Sequence, residues 1–468
     1  MNWELVIVDD ASIEHQCVDI AESFASQDDR ISVTHRVSNG GIIAASNDGL
    51  KLCRGEFVVF LDHDDMFEPD ALSYINRAIR ENSDVDVVYT DEYILSPNGK
   101  LIDLRKPDWS PVRLCSQNYV GHITAMRRTV VQGVGGFHEG YEGAQDYDLL
   151  FRVTEVARNI IHIPIALYFW RDVAHSYSRI ADTRDATFES GRRAVESHCQ
   201  RTGMNAVVER TDVDWVFRIR RELVEAPLVS LVVWGKDAVT AGQAIVAAST
   251  YKNFELITVP DVGDKPATFN SAVLRAKGDV IVFVEDSIQV TTNDWCESML
   301  QVLQDDAVGL VGGMLWSPDH KVRHAGYRFV DGQIRTFAFG VDRGNTELLG
   351  HAYWQREVSA VSDSLLMISK NHFLELGGYS EEFHVALGDI DLCLTAQQHG
   401  LSTVLCPFAS MITSREMLPA PLSNEYEREM LSKKWWRRLH NDPYDKPMTF
   451  LESPWQTAID RRAPRLSF

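Results

Sequence analysis

The stretch RGEFVVFLDHDDMFEP, Arg54–Pro69, decides the fold class of this chain. Its residues Phe57–Leu61 form an uninterrupted apolar run, which is typical of a strand covered on both faces. Three carboxylates follow directly, those of Asp62, Asp64 and Asp65. Ligands bind at the carboxyl ends of the strands in open α/β sheets. The stretch therefore predicts a buried strand that ends in a binding site.

Length and charge limit the class of protein. With 468 residues, of which 45% are hydrophobic, the chain is long enough for two or three domains. A net charge of −21 argues against broad nucleic-acid binding and against a basic membrane-docking face. No apolar run approaches the roughly 20 residues that span a bilayer, and the first residues lack the features of a signal peptide. We therefore expect a cytoplasmic protein.

The seven cysteines are scattered along the chain, and none forms a CxxC pair. This pattern predicts reduced, mostly buried thiols rather than zinc ligands.

Three segments recur in the same order, which indicates a duplicated domain. The matched pairs are Asn2–Ser12 with Asn253–Gly263, Arg54–Asp65 with Lys277–Ile288, and Gly133–Val153 with Glu375–Ala396. Each copy alternates short β-branched runs with amphipathic stretches such as Ala71–Asn82, which predicts a helix. We therefore predict two tandem α/β domains, each Rossmann-like with a mostly parallel sheet between helices.

The seam between the copies lies near Arg221–Pro227, where charged residues give way to a proline and a new strand. We predict a first domain over residues 1–222, a second over 223–418 and a helical C-terminal tail over 419–468. In the tail we expect a helix that packs Trp435 and Trp436 against the second domain.

The two copies differ in length at their starts. The second copy has a predicted strand and helix, Pro227–Lys252, ahead of its NFELITV, whereas the first copy has only Met1 there. About 26 residues are therefore absent from the first domain by this internal comparison. We expect an unpaired strand edge in the first domain. Either the chain is a fragment or something else covers that edge.

Four motifs in order carry a family resemblance: VDDAS, SNGGIIAASNDGL, GEFVVFLDHDD and GYEGAQDYDLLFRV. Together they resemble the bacterial family 2 glycosyltransferases, whose domain has the GT-A fold. The pieces YTDEY, KPDWSP, SQNYVGH and DPYDKP most resemble enzymes of O-antigen and related surface polysaccharides. The resemblance covers nearly all of the first copy and, more loosely, the second.

The resemblance implies a nucleotide-sugar donor and a divalent cation, Mn²⁺ or Mg²⁺, which would neutralise the diphosphate that leaves. It implies that Asp64 binds the cation and that Asp62 contacts the ribose or shares the metal. Asp65 is as readily a cap of the following turn. The resemblance assigns nucleotide recognition to Asp9 and Asp10.

Further residues of the first copy are assigned by the same resemblance. Asn39 and Asn47 would organise the donor pocket, although asparagine beside glycine is equally typical of turns. Tyr119 and His122 would shape the acceptor side, with a packed or loop histidine as the alternative for His122.

An acceptor hydroxyl must lose its proton as it attacks, which requires a carboxylate base. The resemblance gives this role to Asp146 in GAQDYDLL, where Gln145 replaces the family's usual glutamate. Asp148, two residues on, is typical of the opening acid of a helix, and this structural role is the alternative for both carboxylates. One base and no covalent nucleophile imply a single displacement with inversion.

The second copy is degenerate at the metal position. Glu285, Asp286 and Ser287 stand where the first copy has Asp62, His63 and Asp64, while Asp261 and the base position Asp389 persist. Glu285 and Asp286 remain candidates for a cation in a shifted geometry.

We therefore predict an inverting glycosyltransferase that acts on a growing, lipid-linked surface glycan. Its expected partners are the donor, the glycan and, peripherally, the inner membrane or other glycan-assembly proteins. Two alternatives stay open: a non-catalytic glycan-binding or scaffold subunit, and activity in the second domain.

Overall fold

The computed structural model describes residues 2–96, 99–171, 181–213, 215–259, 264–343, 350–444 and 449–450. Contacts divide these residues into two compact units. The first holds the described parts of 1–109, 118–204 and 447–468, and the second those of 110–117 and 205–446. The boundary after Met204 lies earlier than the seam predicted after residue 222. The reason is that the hairpin of residues 206–221 packs with later residues, for example through Arg218 and Asp294, 3.2 Å apart.

The described strands of the first unit form two separate sheets. They are β1 Leu5–Asp9, β2 Ile31–His35, β3 Phe57–Val59, β4 Met66–Phe67, β5 Val87–Leu95, β6 Leu101–Leu104, β7 Thr124–Arg127, β8 Ile160–Arg171 and a last strand Thr449–Phe450. β1 and β2 pair in parallel with each other. In the larger sheet, β5 pairs in parallel with β8 and antiparallel with β6 and β7, and β7 pairs antiparallel with β3.

Helices flank these strands, and the predicted helix over Ala71–Asn82 is confirmed with one residue fewer. The helices of the first unit are α1 Gln16–Ala25, α2 Gly41–Leu52, α3 Ala71–Glu81, α5 Arg128–Gly133, α6 Gln145–Thr154 and α7 Ala181–Arg201, while α4 Pro111–Ser116 belongs to the second unit. Ala71 and Ile75 lie on the buried face of α3 and belong to a core cluster with Val85 and Val88. The apolar side chains of α3, which lie along one face of the helix, thus cover one face of β5.

The strands of the second unit are β9 Ala206–Arg210, β10 Phe217–Arg221, β11 Val229–Trp234, β12 Phe254–Val259, β13 Val280–Glu285, β14 Ile288–Val290, β15 Val308–Trp316, β16 Val322–His324, β17 Tyr327–Val330, β18 Gln333–Thr336, β19 Arg356–Glu357, β20 Leu365–Ser369 and β21 Ser402–Thr413. Nine of them form one sheet, in which seven follow the order β12-β11-β13-β20-β15-β21-β14 while β16 pairs with β15 and β19 with β21. The pairs β9–β10 and β17–β18 form two separate sheets. Its helices are α8 Ala238–Ala248, α9 Lys265–Arg275, α10 Trp295–Leu303, α11 Lys370–Glu375, α12 Gly388–Gln398 and α13 Glu425–His440, with a 3₁₀ turn at Gly350–Tyr353.

Successive residues of β11 face opposite sides of the sheet and are buried on both. Leu231 and Val233 belong to one core cluster, and Val232 and Trp234 belong to the other. This double burial is the physical reason for a continuous apolar run. The predicted α/β class is confirmed, with parallel pairs joined through the antiparallel strands β7 and β20 into mixed sheets.

The position of β11 has no counterpart among the described strands of the first unit. In the second unit β11 lies between β12 and β13 and pairs with both. In the first unit, where β1 matches β12 and β3 matches β13, the described part of β1 pairs with β2 alone and that of β3 with β7 alone. The facing edges of β1 and β3 therefore make no ladder hydrogen bonds with each other.

Strand registers extend the repeat to residues that the sequence comparison did not align. Phe57 pairs with Arg127 on β7, and Val280, its match in the repeat, pairs with Ser369 on β20. Arg127 and Ser369 therefore occupy matching positions, and counting back along the chain by the same number of residues from each matches His122 with Ser364. The pairing of β4 with β8 and of β14 with β21 likewise matches Tyr168 with Met411.

The predicted helix of the C-terminal tail is present as α13, but only one of its two tryptophans packs as expected. Trp435 is 8% exposed, lies in a core cluster of the second unit, and donates its Nε1–H to Asp391 Oδ1 at 2.7 Å. Trp436 is 59% exposed, so the prediction that it packs inward is wrong. Adjacent residues of a helix point about 100° apart, and one apolar face accommodates only one of them.

Two further features bear on the sequence predictions. Among the helices of the described ranges, none is both long and apolar enough to cross a membrane. Four of the seven cysteines, Cys199, Cys296, Cys393 and Cys406, are buried.

Candidate active site

Three side chains converge just beyond the carboxyl end of β3. Asp62, Asp65 and His122 each offer a ligand atom, and these atoms all lie within 4.8 Å of one another. His122 Nε2 is 3.8 Å from Asp62 Oδ2, and the Asp62 side chain is 45% exposed. We call these three residues the Asp-Asp-His cluster.

The cluster contains Asp65, whereas the sequence prediction chose Asp64. The chain turns directly after β3, with the Asp65 amide donating to the Asp62 carbonyl at 3.1 Å. This turn brings Asp65 back beside Asp62. Asp64 contributes its backbone carbonyl to a hydrogen bond from Arg171 Nε, and its carboxylate is not part of the cluster.

Asp65 is held in place by β8. The Tyr168 hydroxyl donates to Asp65 Oδ2 at 2.6 Å, and the Arg171 amide donates to Oδ1 at 2.8 Å. Burial raises the pKa of Asp65, and these two hydrogen bonds oppose that shift. Each carboxylate oxygen keeps a second lone pair, so both can still bind a cation.

His122 is fixed through its ring and its backbone. The ring stacks on Tyr168 with centroids 4.8 Å apart and planes 18° apart. The backbone amide donates to Glu92 Oε2 at 3.0 Å, and the carbonyl accepts from Lys106 Nζ at 2.6 Å. His122 is therefore a positioned residue, unlike the loop histidine left open by the sequence.

Lys106 is the residue that sequence reasoning missed. Its side chain is 1% exposed, and its ammonium donates to the Val120 and His122 carbonyls, both at 2.6 Å, and to Glu92 Oε2 at 3.2 Å. Burial lowers the pKa of Lys106, and the Glu92 carboxylate opposes the shift. A lysine in a loop between β6 and α4 carries no sequence signal for this role, because its partners are backbone carbonyls distant in sequence.

Asp146 lies at the start of α6, in the same part of the first unit. Its Oδ2 accepts a hydrogen bond from Asn118 Nδ2 at 3.0 Å. Burial raises the pKa of Asp146, and the nearby His122 is the largest influence that opposes the shift. The Gln145 side chain turns back to accept from the Gly143 amide at 2.8 Å.

Asp148, the second carboxylate of GAQDYDLL, is engaged elsewhere. It is fully buried and pairs with Arg152, whose Nη2 lies 2.6 Å from Oδ2. This pairing gives Asp148 a role inside α6. Of the two carboxylates, Asp146 is the one beside Asn118.

Asp9 and Asp10 stand at the end of β1 and bind the chain's own donors. Asp9 accepts from the Ser12 amide at 3.1 Å, and Asp10 accepts from Gly40 at 3.0 Å and Gly41 at 2.7 Å. Burial would raise the pKa of Asp10, but the hydrogen bonds from Arg36 and these glycine amides lower it below its usual value. Both carboxylates thus order loops at this edge.

Asn39 donates to the Asp10 carbonyl at 3.0 Å. Asn47 makes a two-way clamp with Phe137: its amide donates to the Phe137 carbonyl at 2.8 Å and its oxygen accepts from the Phe137 N–H at 2.9 Å. In the second unit Asn270 and Tyr379 form the same clamp, both bonds at 2.9 Å. The duplication assigns Asn47 a structural role in the repeat.

Tyr119 is 5% exposed, and its ring meets that of Tyr89 edge-on at 6.2 Å. Tyr119 lies between Asn118 and His122 in the chain, and its buried ring anchors this segment.

The second unit keeps one of the three cluster positions. Glu285 takes the place of Asp62, but Ile288 and Ser364 take those of Asp65 and His122, and Met411 takes that of Tyr168. Glu285 pairs with Arg415 and accepts from Ser364 Oγ at 3.3 Å.

Two further candidates of the second unit, Asp286 and Asp389, accept hydrogen bonds from backbone amides. Asp286 accepts from the Asp237 amide at 2.8 Å. Asp389 accepts from the Asp363 amide at 3.3 Å, and burial, followed by the Asp363 charge, raises the pKa of Asp389 to about 7. Asp261 lies outside the described residues.

Residues 1–132 match the family model described as Glycosyl transferase family 2. The match covers the part of the chain that carries the Asp-Asp-His cluster. The resemblance that its motifs predicted is thus confirmed, and a transferase activity is what this family supports.

Two relatives match nearly the whole chain. Uncharacterized protein y4gI of Sinorhizobium fredii is 31% identical over 504 residues, covering 96% of this chain and 55% of the relative. The O-antigen biosynthesis protein RfbC of Myxococcus xanthus is 30% identical over 495 residues, covering 95% of this chain and 38% of the relative. The chain thus spans about half or less of the length of these relatives.

Proposed function

We propose that the first unit transfers a sugar from a nucleotide-diphosphate donor to a surface glycan, with inversion at the anomeric carbon. The observation that carries the proposal is the convergence of the Asp-Asp-His cluster with the positioned carboxylate of Asp146. The two lie close enough for His122 to lower and Asp62 to raise the pKa of Asp146. A charge-neutralising site and a base in one place are what glycosyl transfer requires.

Asp62, Asp65 and His122 fit a divalent cation. Two carboxylates suit Mn²⁺ or Mg²⁺, imidazole is a common additional ligand, and the turn after β3 already gathers the three ligand atoms. When bound, such a cation would supply positive charge to the departing diphosphate. Tyr168 and Arg171 position Asp65 for this role, and Lys106 positions the backbone of His122.

Asp146 is the proposed base. The acceptor oxygen forms a bond to the anomeric carbon while the bond from that carbon to the diphosphate oxygen breaks, and the hydroxyl proton passes to Asp146. Burial raises the pKa of this carboxyl, which makes its ionised form a stronger base. Asn118 donates a hydrogen bond to Oδ2 of this carboxylate and so fixes its orientation. A single displacement of this kind inverts the configuration.

The acceptor class is inferred from the relatives. The Myxococcus xanthus protein is named for O-antigen biosynthesis and aligns with nearly all of this chain. We infer a lipid-linked glycan acceptor of the same general class. A nucleotide sugar and the glycan are then the two partners of the first unit.

Calorimetric titration with UDP, GDP and dTDP, each with and without Mn²⁺, tests the donor site. We expect one nucleotide to bind in a Mn²⁺-dependent manner, and Asp62→Asn and Asp65→Asn to weaken that binding by at least tenfold. Asp286→Asn in the second unit is the matched control and should leave the affinity unchanged. Asp64→Asn decides whether the residue chosen from sequence also binds the cation.

Transfer of radiolabelled sugar from the matching donor to lipid-linked glycan tests the base. Asp146→Asn should keep nucleotide affinity and lose about 10²–10⁴-fold in turnover. Full turnover in Asp146→Asn, or nucleotide binding that survives without any divalent cation, would overturn the proposal.

A further inference from the structure

A cavity of about 170 Å³ opens at the carboxyl ends of β11 and β13 in the second unit. Residues that line it include Trp234, Glu285, Asp363, Tyr379 and Asp389. The volume is many times the roughly 10–15 Å³ that one water molecule needs. It is therefore a ligand-sized space, and the first unit's proposed chemistry does not use it.

Positive charge is built into this cavity by side chains. Arg415 pairs with Glu285, the residue at the position of Asp62 in the first unit. Lys265 Nζ lies 2.7 Å from Asp363 Oδ2 and 4.1 Å from the centroid of the Trp234 ring. Because Arg415 already neutralises Glu285, and Ile288 replaces the carboxylate of Asp65, no divalent cation is needed here.

The charges of the cavity do not suit a diphosphate. Two cations, Arg415 and Lys265, face four carboxylates, Glu285, Asp363, Asp389 and Glu416. Even with Asp389 protonated, the carboxylates outnumber the cations, and no surplus of positive charge remains for an anionic ligand. The arrangement offers several hydrogen-bond donors and acceptors to a neutral ligand.

One polar side chain that lines the cavity has no hydrogen-bond partner among the described residues. The Tyr379 hydroxyl is buried without such a partner, and the residue is 3% exposed. The charges of Asp363 and Asp389 both act on this hydroxyl. An unsatisfied buried hydroxyl costs about 1–3 kcal/mol, so a ligand hydroxyl that reaches it would remove that cost. At the opening, Leu418 and Leu422 line the cavity and expose apolar surface.

We propose that this cleft binds one neutral sugar residue without a divalent cation. The sugar hydroxyls donate to Asp363 and Asp389 and accept from Tyr379 and Lys265, while an apolar C–H face packs on the leucines at the opening. The assignment of that sugar to the glycan being built rests on the proposed function of the first unit. The cation-free binding of a neutral sugar does not rest on it.

Saturation-transfer NMR of the full chain with methyl glycosides of glucose, galactose, mannose, rhamnose and N-acetylglucosamine, in the presence of EDTA, tests the proposal. We expect at least one glycoside to bind with EDTA present. Tyr379→Phe should weaken that binding about tenfold while leaving the stability of the fold unchanged or higher, because it removes an unsatisfied buried hydroxyl. Tyr353→Phe, whose hydroxyl does not line the cavity, is the matched control and should bind like the parent chain.

The outcomes separate this proposal from that for the first unit. No glycoside binding in EDTA, binding that requires Mn²⁺, or equal binding by Tyr379→Phe overturns the sugar site. Loss of Mn²⁺-dependent nucleotide binding in Asp62→Asn, with glycoside binding intact, supports both proposals. Glycoside binding without nucleotide binding in the parent chain supports this site and overturns the proposed function.

Discussion

Lys106→Met tests whether a buried ammonium positions the segment that carries Asn118 and His122. The side chain of Lys106 is 1% exposed and contacts three acceptors within 3.2 Å. Methionine has similar length and fills the same space, so the perturbation is mainly the loss of charge and donors. It leaves Glu92, itself buried, without its only buried ion-pair partner among the described residues.

The magnitude follows from that unpaired charge. Removing one partner of a buried ion pair costs about 3–5 kcal/mol, because the other charge stays desolvated. The two backbone carbonyls that lose a donor add to this cost. A domain has a total stability of only about 5–15 kcal/mol, so the first unit should be severely destabilised. Adding Glu92→Gln removes the uncompensated charge and should restore part of the loss.

Equilibrium urea unfolding measures the loss, and peptide-level hydrogen–deuterium exchange assigns it to residues 118–127. We expect this segment to exchange faster in Lys106→Met and the Mn²⁺-dependent nucleotide affinity to fall with it. A loss below about 1 kcal/mol would refute the reasoning. So would a double variant, Lys106→Met with Glu92→Gln, that is no more stable than the single one.

Three further outcomes follow from the described contacts. Asn47→Ala and Asn270→Ala should each lower the free energy of unfolding of their own unit by about 1–3 kcal/mol, as measured by urea unfolding. Each variant leaves one backbone N–H and one backbone carbonyl without its hydrogen-bond partner. Burial lowers the pKa of His324 to about 3, so only the unfolded chain binds a proton at this site between pH 6.5 and 3. This difference in proton binding therefore lowers the free energy of unfolding as the pH falls, by up to about 1.4 kcal/mol per pH unit. The plot of unfolding free energy against pH should be flatter for His324→Gln than for the parent chain. Trp435→Ala should lower the melting temperature by several degrees and Trp436→Ala hardly at all, because only Trp435 is buried.

Patterns local in sequence were sufficient for the fold class and for part of the site. The apolar run before Asp62 predicts a buried strand, and the spacing of Ala71–Asn82 predicts a helix, because both depend on which faces of a segment meet the core. The repeat predicts the duplication, and the motif order predicts the family that residues 1–132 match. Asp62 and Asp146 were selected by the same patterns.

Other features depend on contacts between residues far apart in the chain. Asp65 lies beside Asp62 and His122 because of a turn and because of a hydrogen bond from Tyr168, about a hundred positions further on. Lys106 matters because it meets the carbonyls of another segment, and Arg415 because it meets Glu285. The sequence by itself determined which elements form and which carboxylates end the strands, since those follow from local burial and periodicity. Only the tertiary structure decided which of them lie close together and which are paired with arginine or lysine, because these depend on distances that local patterns do not encode.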